Sequence, residues 1–111
     1  MLHKVVEDVT IGAIAGSGPA YIFYLAEAMQ QAAEEIGLSA NQAKSLTKQT
    51  LKGSSILLSS VEESFSDLRG QVTSPNGTTE AATKAFDKAK VKEGIVNGIK
   101  QAFIRAKELS N

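Results

Sequence analysis

The sequence predicts an all-α fold, a small bundle of about four to five helices. Apolar residues recur at the three- and four-residue spacing of a helix in several long segments, and most of these segments have recognisable caps. No segment of useful length alternates between apolar and polar residues with the period of a half-buried strand. These observations favour helices packed on helices over any fold that contains a sheet.

Residues 1–12 are expected to form a lead-in, in which Val9-Thr10-Ile11 could be a short extended piece, and residues 13–111 the helical domain. Gly16-Ser17-Gly18 is followed by Pro19, which suits a first helical turn because its missing N–H needs no partner there. Gly37 is typical of a helix stop. The sequence therefore predicts a helix of about 18 residues between these points.

This first long helix carries more apolar surface than one buried face requires. Two neighbouring strips run along it, the first made of Ile22, Leu25, Ala26, Met29, Ala33 and Ile36 and the second of Tyr21, Tyr24, Ala28 and Ala32. Two apolar strips imply that a partner surface covers part of this helix. The helix is either the centre of a small bundle or part of a subunit interface, and both interpretations stay open.

Ser39-Ala40-Asn41-Gln42 has the spacing of a capping box and predicts that a second helix begins here and continues to about Glu62. Gly53-Ser54-Ser55 lowers helix propensity in its middle, which close contact with another helix would explain. A short helix is expected up to Gly70, with Ser64 or Ser66 as its cap.

The last two helices are expected from Thr79 to about Asp87 and from about Val91 to Leu109. The final one has a narrow apolar stripe like the seam of a coiled coil. Its Gly94 and Gly98 permit close approach of another helix.

The loop Gln71–Thr79 is the one place where chemistry could concentrate. Pro75 suits the second position of a turn, and Asn76 tolerates a left-handed conformation. Thr78 is the expected N-cap of the next helix, and the unpaired N–H groups from Gly77 to Glu80 lie at its start. A small anion could bind there.

Composition excludes several other functions. Lys plus Arg and Asp plus Glu are both 12, so the charge expected of a nucleic-acid binder is missing, and the absence of cysteine excludes thiolate chemistry. The single histidine, His3, is improbable as a metal ligand, and no metal site is expected. No apolar run approaches the roughly 20 residues of a membrane span. We therefore expect no nucleic-acid or membrane partner and a cytoplasmic location.

Two motifs resemble one enzyme family. Ala15-Gly16-Ser17-Gly18-Pro19-Ala20-Tyr21, followed by a long helix, is similar to the start of the C-terminal domain of pyrroline-5-carboxylate reductases. The run from Asp67 to Thr79 resembles that family's Leu-Arg-Asp-x-Val-Thr-Ser-Pro-Gly-Gly-Thr-Thr signature. The order and spacing of the two motifs agree with the family, and the resemblance covers the chain from about Val9 to Leu109.

The resemblance implies a helical domain that interleaves with a second subunit to form a homodimer, or a higher oligomer. It also implies an oxidoreductase that reduces 1-pyrroline-5-carboxylate to proline with NADPH or NADH. By position, Ser74, Gly77, Thr78 and Thr79 would bind the substrate carboxylate. Thr79 would also be the catalytic residue, with its hydroxyl near the imine nitrogen.

The chain departs from the family at two points. Asn76 stands where the family usually has glycine. No strand followed by Gly-x-Gly-x-x-Gly, as in a dinucleotide-binding domain, is present. The chain alone is therefore expected to bind no cofactor and to be inactive. The alternative is a helical self-association module in which the loop is only a structural turn.

Overall fold

The chain folds into helices joined by short connections. The structure is a computed structural model that describes residues 2–110, with side chains from residue 7 onward. The helices are α1 (Leu2–Ile11), α2 (Gly18–Glu35), α3 (Ala40–Ser60), α4 (Phe65–Gln71), α5 (Thr78–Lys88) and α6 (Val91–Ser110), and a π-helical turn, Gly12–Gly16, lies between α1 and α2. No strand occurs within residues 2–110, and the all-α prediction is confirmed.

Residues 2–11 are helical, so the extended piece expected at Val9-Thr10-Ile11 is wrong. Val9 and Ala13, one helical turn apart, are both buried, and α1 and the π turn pack against α6. β-Branched residues have low intrinsic helix propensity, but in proteins most helical stability comes from packing of the apolar face. Contact with α6 therefore outweighs the local preference.

The predicted limits of α2 agree with the structure. The helix has 18 residues, and Pro19 occupies its first turn. It ends in a Schellman motif, in which the Leu38 N–H donates to the Ala33 carbonyl at 3.0 Å and the Gly37 N–H donates to the Glu34 carbonyl at 3.2 Å. Gly37 has φ 124°, a left-handed conformation in which glycine carries no side-chain penalty.

Side-chain caps start α3 and α4. The capping box of α3 is present: the Gln42 N–H donates to Ser39 Oγ at 3.2 Å, and the Ser39 N–H donates to Gln42 Oε1 at 3.0 Å. At α4 the cap is Ser64, whose Oγ accepts the Asp67 N–H at 3.1 Å. The sequence offers Ser64 and Ser66 as alternative caps, and the cap in the structure is Ser64.

Two compact units make up the chain. The first combines the N-terminal stretch up to Tyr21 with everything from Pro75 onward, and in it α6 contacts α1, the π turn and α5. The second unit is Ile22–Ser74 and contains most of α2 together with α3 and α4.

Apolar side chains are widely exposed. Among the described side chains only Val9, Ala13, Ala43 and Thr47 are buried. Both strips of α2 are accessible, with Ile22 51% and Tyr24 77% exposed. Large apolar residues are likewise exposed on the other helices, including Ile11, Leu57, Phe65, Phe86 and Ile95. The described chain therefore does not cover its own apolar surface, as is typical of a domain that packs against another protein.

The glycines that were expected to allow close helix contact have open space around them. A Cβ atom added to Gly53, Gly94 or Gly98 would meet nothing within 4 Å in the described chain. The close contact predicted from Gly53-Ser54-Ser55 is thus not made there. Packing within the described residues does not account for the loss of helix propensity at Gly53.

The run Glu7–Glu35, of 29 residues, is long and apolar enough to cross a membrane by length and composition alone. The prediction that no apolar run approaches the length of a membrane span is wrong by this criterion. Core helices of water-soluble proteins and signal sequences pass the same test, so the finding is weak evidence for a membrane span.

Candidate anion site at the start of helix α5

A tight turn leads into α5. Asn76 has φ 60°, which confirms its predicted left-handed conformation, and its N–H donates to Glu80 Oε1 at 3.3 Å. The N-cap of α5 is Gly77, in an extended conformation and without a side-chain cap hydrogen bond, so the prediction of Thr78 as N-cap is wrong by one residue. Helix α5 therefore begins at Thr78, one residue earlier than predicted, and the Glu80 carboxylate accepts the Asn76 N–H that precedes it.

Backbone donors are free at this helix start. The Ala81 N–H donates to the Gly77 carbonyl at 3.2 Å, as expected of the first hydrogen bond of a helix. The N–H groups of Thr78, Thr79 and Glu80 precede that bond and find no acceptor within residues 2–110. They are the unpaired donors found at helix N-termini, where the helix dipole also favours a negative charge.

The hydroxyls of Thr78 and Thr79 have no hydrogen-bond partner among the described residues, whereas nearby threonine hydroxyls do. Thr73 Oγ1 donates to the Arg69 carbonyl at 2.6 Å, and Thr83 Oγ1 donates to the Glu80 carbonyl at 3.2 Å. Thr78 is exposed and Thr79 is half-buried. Two hydroxyls and three backbone donors at the start of α5 are therefore available to a ligand.

Ser74, the remaining predicted site residue, is exposed and is the last residue of the second unit. The structure brings Gly77, Thr78 and Thr79 together as consecutive residues at the start of one helix. Ser74 is separated from Gly77 in the sequence by Pro75 and Asn76.

Glu80 is a component of this region that the sequence motifs did not predict. Its side chain is 29% exposed and forms an ion pair with Lys84 Nζ at 3.2 Å. Because this pair carries no net charge, it leaves the partial positive charge of the helix start in place. The available signal was an acidic residue in the first turn of a predicted helix, where it interacts favourably with the helix dipole.

No group of three or more metal-binding side chains occurs among the described residues, and the side chain of His3 lies outside them. The donors at the start of α5 are instead hydrogen-bond donors suited to an oxyanion, such as a carboxylate. The arrangement can bind and orient a small acid. It contains no group that could itself supply a hydride.

The sequence is similar to enzymes of one named family. A family model described as pyrroline-5-carboxylate reductase dimerisation matches residues 8–109. Pyrroline-5-carboxylate reductase 2 of Bacillus subtilis is 39% identical over 99 residues, which cover 89% of this chain and 36% of that protein. Pyrroline-5-carboxylate reductase of Pseudomonas aeruginosa is 43% identical over 100 residues, which cover 90% of this chain and 37% of that protein.

Solved structures agree with the sequence comparison. A pyrroline-5-carboxylate reductase from Coxiella burnetii superposes with a TM-score of 0.90 and 43% identity over 96% of this chain and 39% of that one. A Plasmodium falciparum pyrroline carboxylate reductase with NADP bound gives a TM-score of 0.90 and 27% identity over 96% of this chain and 40% of that one. The chain spans 33–37% of the length of the first curated relatives it matches. Matched over nearly its whole length, it belongs to the family of pyrroline-5-carboxylate reductase dimerisation domains.

Proposed function

We propose that this chain is the dimerisation and substrate-binding part of an enzyme that reduces 1-pyrroline-5-carboxylate to L-proline, a step of proline biosynthesis. The observation that carries the proposal is the family match over residues 8–109. The free donors at the start of α5 support a role for the loop in binding an acid. We propose residues 13–111 as the functional domain and residues 1–12 as the segment that leads into it, with α1 packed against α6.

The substrate carboxylate binds at the start of α5 in this proposal. The N–H groups and hydroxyls of Thr78 and Thr79 donate to it, and Gly77 is the N-cap beside them. Ser74 is assigned to the substrate by the family resemblance alone. The helix dipole contributes about 0.3–1 kcal/mol for a surface-exposed anion, and charge-assisted hydrogen bonds add to that. The Thr79 hydroxyl lies beside the imine nitrogen, which gains a proton as the neighbouring carbon is reduced.

NADPH or NADH, bound by another part of the enzyme, supplies the hydride. The chain alone is expected to bind neither nucleotide and to be inactive. An assay of the chain with 1-pyrroline-5-carboxylate and NADPH should show no oxidation of the nucleotide. Robust turnover would refute the need for a further cofactor-binding region.

Self-association of this chain into a homodimer covers the exposed apolar faces in this proposal. The C-terminal half of α3 suits such an interface. Ile56, Leu57 and Leu58 are all exposed there, and consecutive apolar residues cover more than half of the helix circumference. The hydroxyls of Ser59 and Ser60 donate to helix carbonyls at 2.7 and 2.6 Å, so they can be buried without losing a partner.

The apolar run Glu7–Glu35 packs against protein rather than lipid in this proposal, and the enzyme is cytoplasmic with no membrane or nucleic-acid partner. Fractionation of cells that express the full-length enzyme tests this. Recovery in the cytosolic fraction is expected, and recovery with membranes after a high-salt wash would contradict it.

A titration with proline, monitored by the amide NMR signals of the chain, tests the substrate site. The amide signals from Ser74 to Thr79 should shift in a saturable way. Pyrrolidine, which has the same ring but no carboxylate, is the matched control and should shift them far less. Shifts confined to other helices, or equal responses to both compounds, would remove the loop from the site.

A self-association module without a ligand is the second candidate, and the exposed apolar residues support it without any reference to the loop. Thr79→Ala in a full-length enzyme separates the two functions. Lost turnover with unchanged dimerisation supports the substrate role. Lost dimerisation supports the structural role alone.

A further inference from the structure

The π turn between α1 and α2 leaves one backbone carbonyl to a side chain. Within this turn the Ser17 N–H donates to the Gly12 carbonyl at 3.0 Å, five residues back rather than four. The Ser17 N–H therefore does not serve the Ala13 carbonyl, which accepts a hydrogen bond from the Tyr21 hydroxyl at 2.7 Å.

Two donors can therefore compete for the Ala13 carbonyl. In an uninterrupted α-helix the Ser17 N–H would bond to Ala13, four residues back. In the observed π turn the Tyr21 hydroxyl donates to the Ala13 carbonyl instead of the Ser17 N–H. Ala13 is only 2% exposed, so its carbonyl has little access to water. Leaving that carbonyl without a hydrogen-bond donor would therefore destabilise the fold.

We propose that Tyr21 is the residue that holds this junction in its π-helical register. Side chains in a helix point back toward the N-terminus, so a tyrosine two turns after Ala13 is well placed to reach its carbonyl. Without the hydroxyl, the Ser17 N–H can return to Ala13, and the turn loses its extra residue. The inference is independent of the proposed function.

Two tyrosines three residues apart offer a matched comparison. Tyr24 is 77% exposed and makes no hydrogen bond to any described residue. Tyr21→Phe removes the hydroxyl that holds the turn, whereas Tyr24→Phe removes one that does not. Loss of one net hydrogen bond should shift the ratio of π to α register about 2- to 12-fold.

Through-hydrogen-bond NMR couplings in the 111-residue chain identify the acceptor of the Ser17 N–H. In the wild type and in Tyr24→Phe the coupling should join Ser17 to the Gly12 carbonyl. In Tyr21→Phe it should weaken or move to the Ala13 carbonyl. Coupling to Ala13 in the wild type, or unchanged coupling to Gly12 in Tyr21→Phe, would overturn the proposal.

A measurement on the wild type covers the case in which Tyr21→Phe does not fold. Exchange of tyrosine hydroxyl protons with deuterium can be followed on protein labelled at the tyrosine Cζ carbon. The Tyr21 hydroxyl should exchange more slowly than that of Tyr24. Equal exchange rates for the two hydroxyls would refute the role given to Tyr21.

Discussion

Leu57 offers a direct way to test the proposed interface on α3. It is 52% exposed, so about half of its apolar surface remains to be covered. Full burial of a leucine contributes about 1.5–3 kcal/mol, and covering half of it about 0.8–1.5 kcal/mol. In a twofold-symmetric dimer each contact occurs twice, which gives about 1.5–3 kcal/mol for the pair.

Most of this contribution is lost in Leu57→Ala, so the dimer dissociation constant should rise about 10- to 150-fold. Sedimentation velocity over a concentration series measures that constant. Lys44→Ala, an exposed substitution near the start of the same helix, is the control and should leave it nearly unchanged. Circular dichroism must show that both variants keep the wild-type helix content.

Equal dissociation constants for Leu57→Ala, Lys44→Ala and the wild type would refute the reasoning. In that case the exposure of Leu57 would have no connection with self-association. The C-terminal half of α3 would then have to be removed from the proposed interface.

Three further substitutions test individual interactions. Ser39→Ala should lower the free energy of unfolding by about 1 kcal/mol in urea at fixed protein concentration, because it removes half of a capping box, and Ser45→Ala should not. Thr79→Ala should weaken proline binding in the NMR titration, whereas Thr83→Ala, whose hydroxyl already bonds within the helix, should not. Glu80→Gln should lower the free energy of unfolding by less than about 1 kcal/mol in thermal denaturation at low salt, and high salt should reduce that difference. Equal effects of Ser39→Ala and Ser45→Ala, or of Thr79→Ala and Thr83→Ala, would contradict these assignments. So would an effect of Glu80→Gln that does not change with salt.

Local signals were sufficient to predict much of the fold. The Ser39-to-Gln42 spacing identified a capping box because both hydrogen bonds form between neighbours in the sequence. Gly37 and Asn76 were correctly predicted as a helix stop and a left-handed turn residue, because backbone sterics limit which residues adopt such conformations.

Features that depend on contacts between distant residues were missed. Helix α1 forms although Val9-Thr10-Ile11 resembles a strand, because Val9 and Ala13 are buried in the unit that contains α6. The π turn has no propensity signal, since its extra hydrogen bond comes from the Tyr21 side chain. The misassignment of Thr78 as N-cap has a local cause: threonine is a preferred N-cap residue, whereas the observed N-cap, Gly77, makes no side-chain cap hydrogen bond.

Sedimentation equilibrium of the 111-residue chain tests the proposed self-association most directly. We expect a species of twice the 11.7 kDa chain mass at micromolar concentration, because exposed apolar residues on every described helix require a partner. A single species at the monomer mass across the concentration range would contradict the proposed dimerisation.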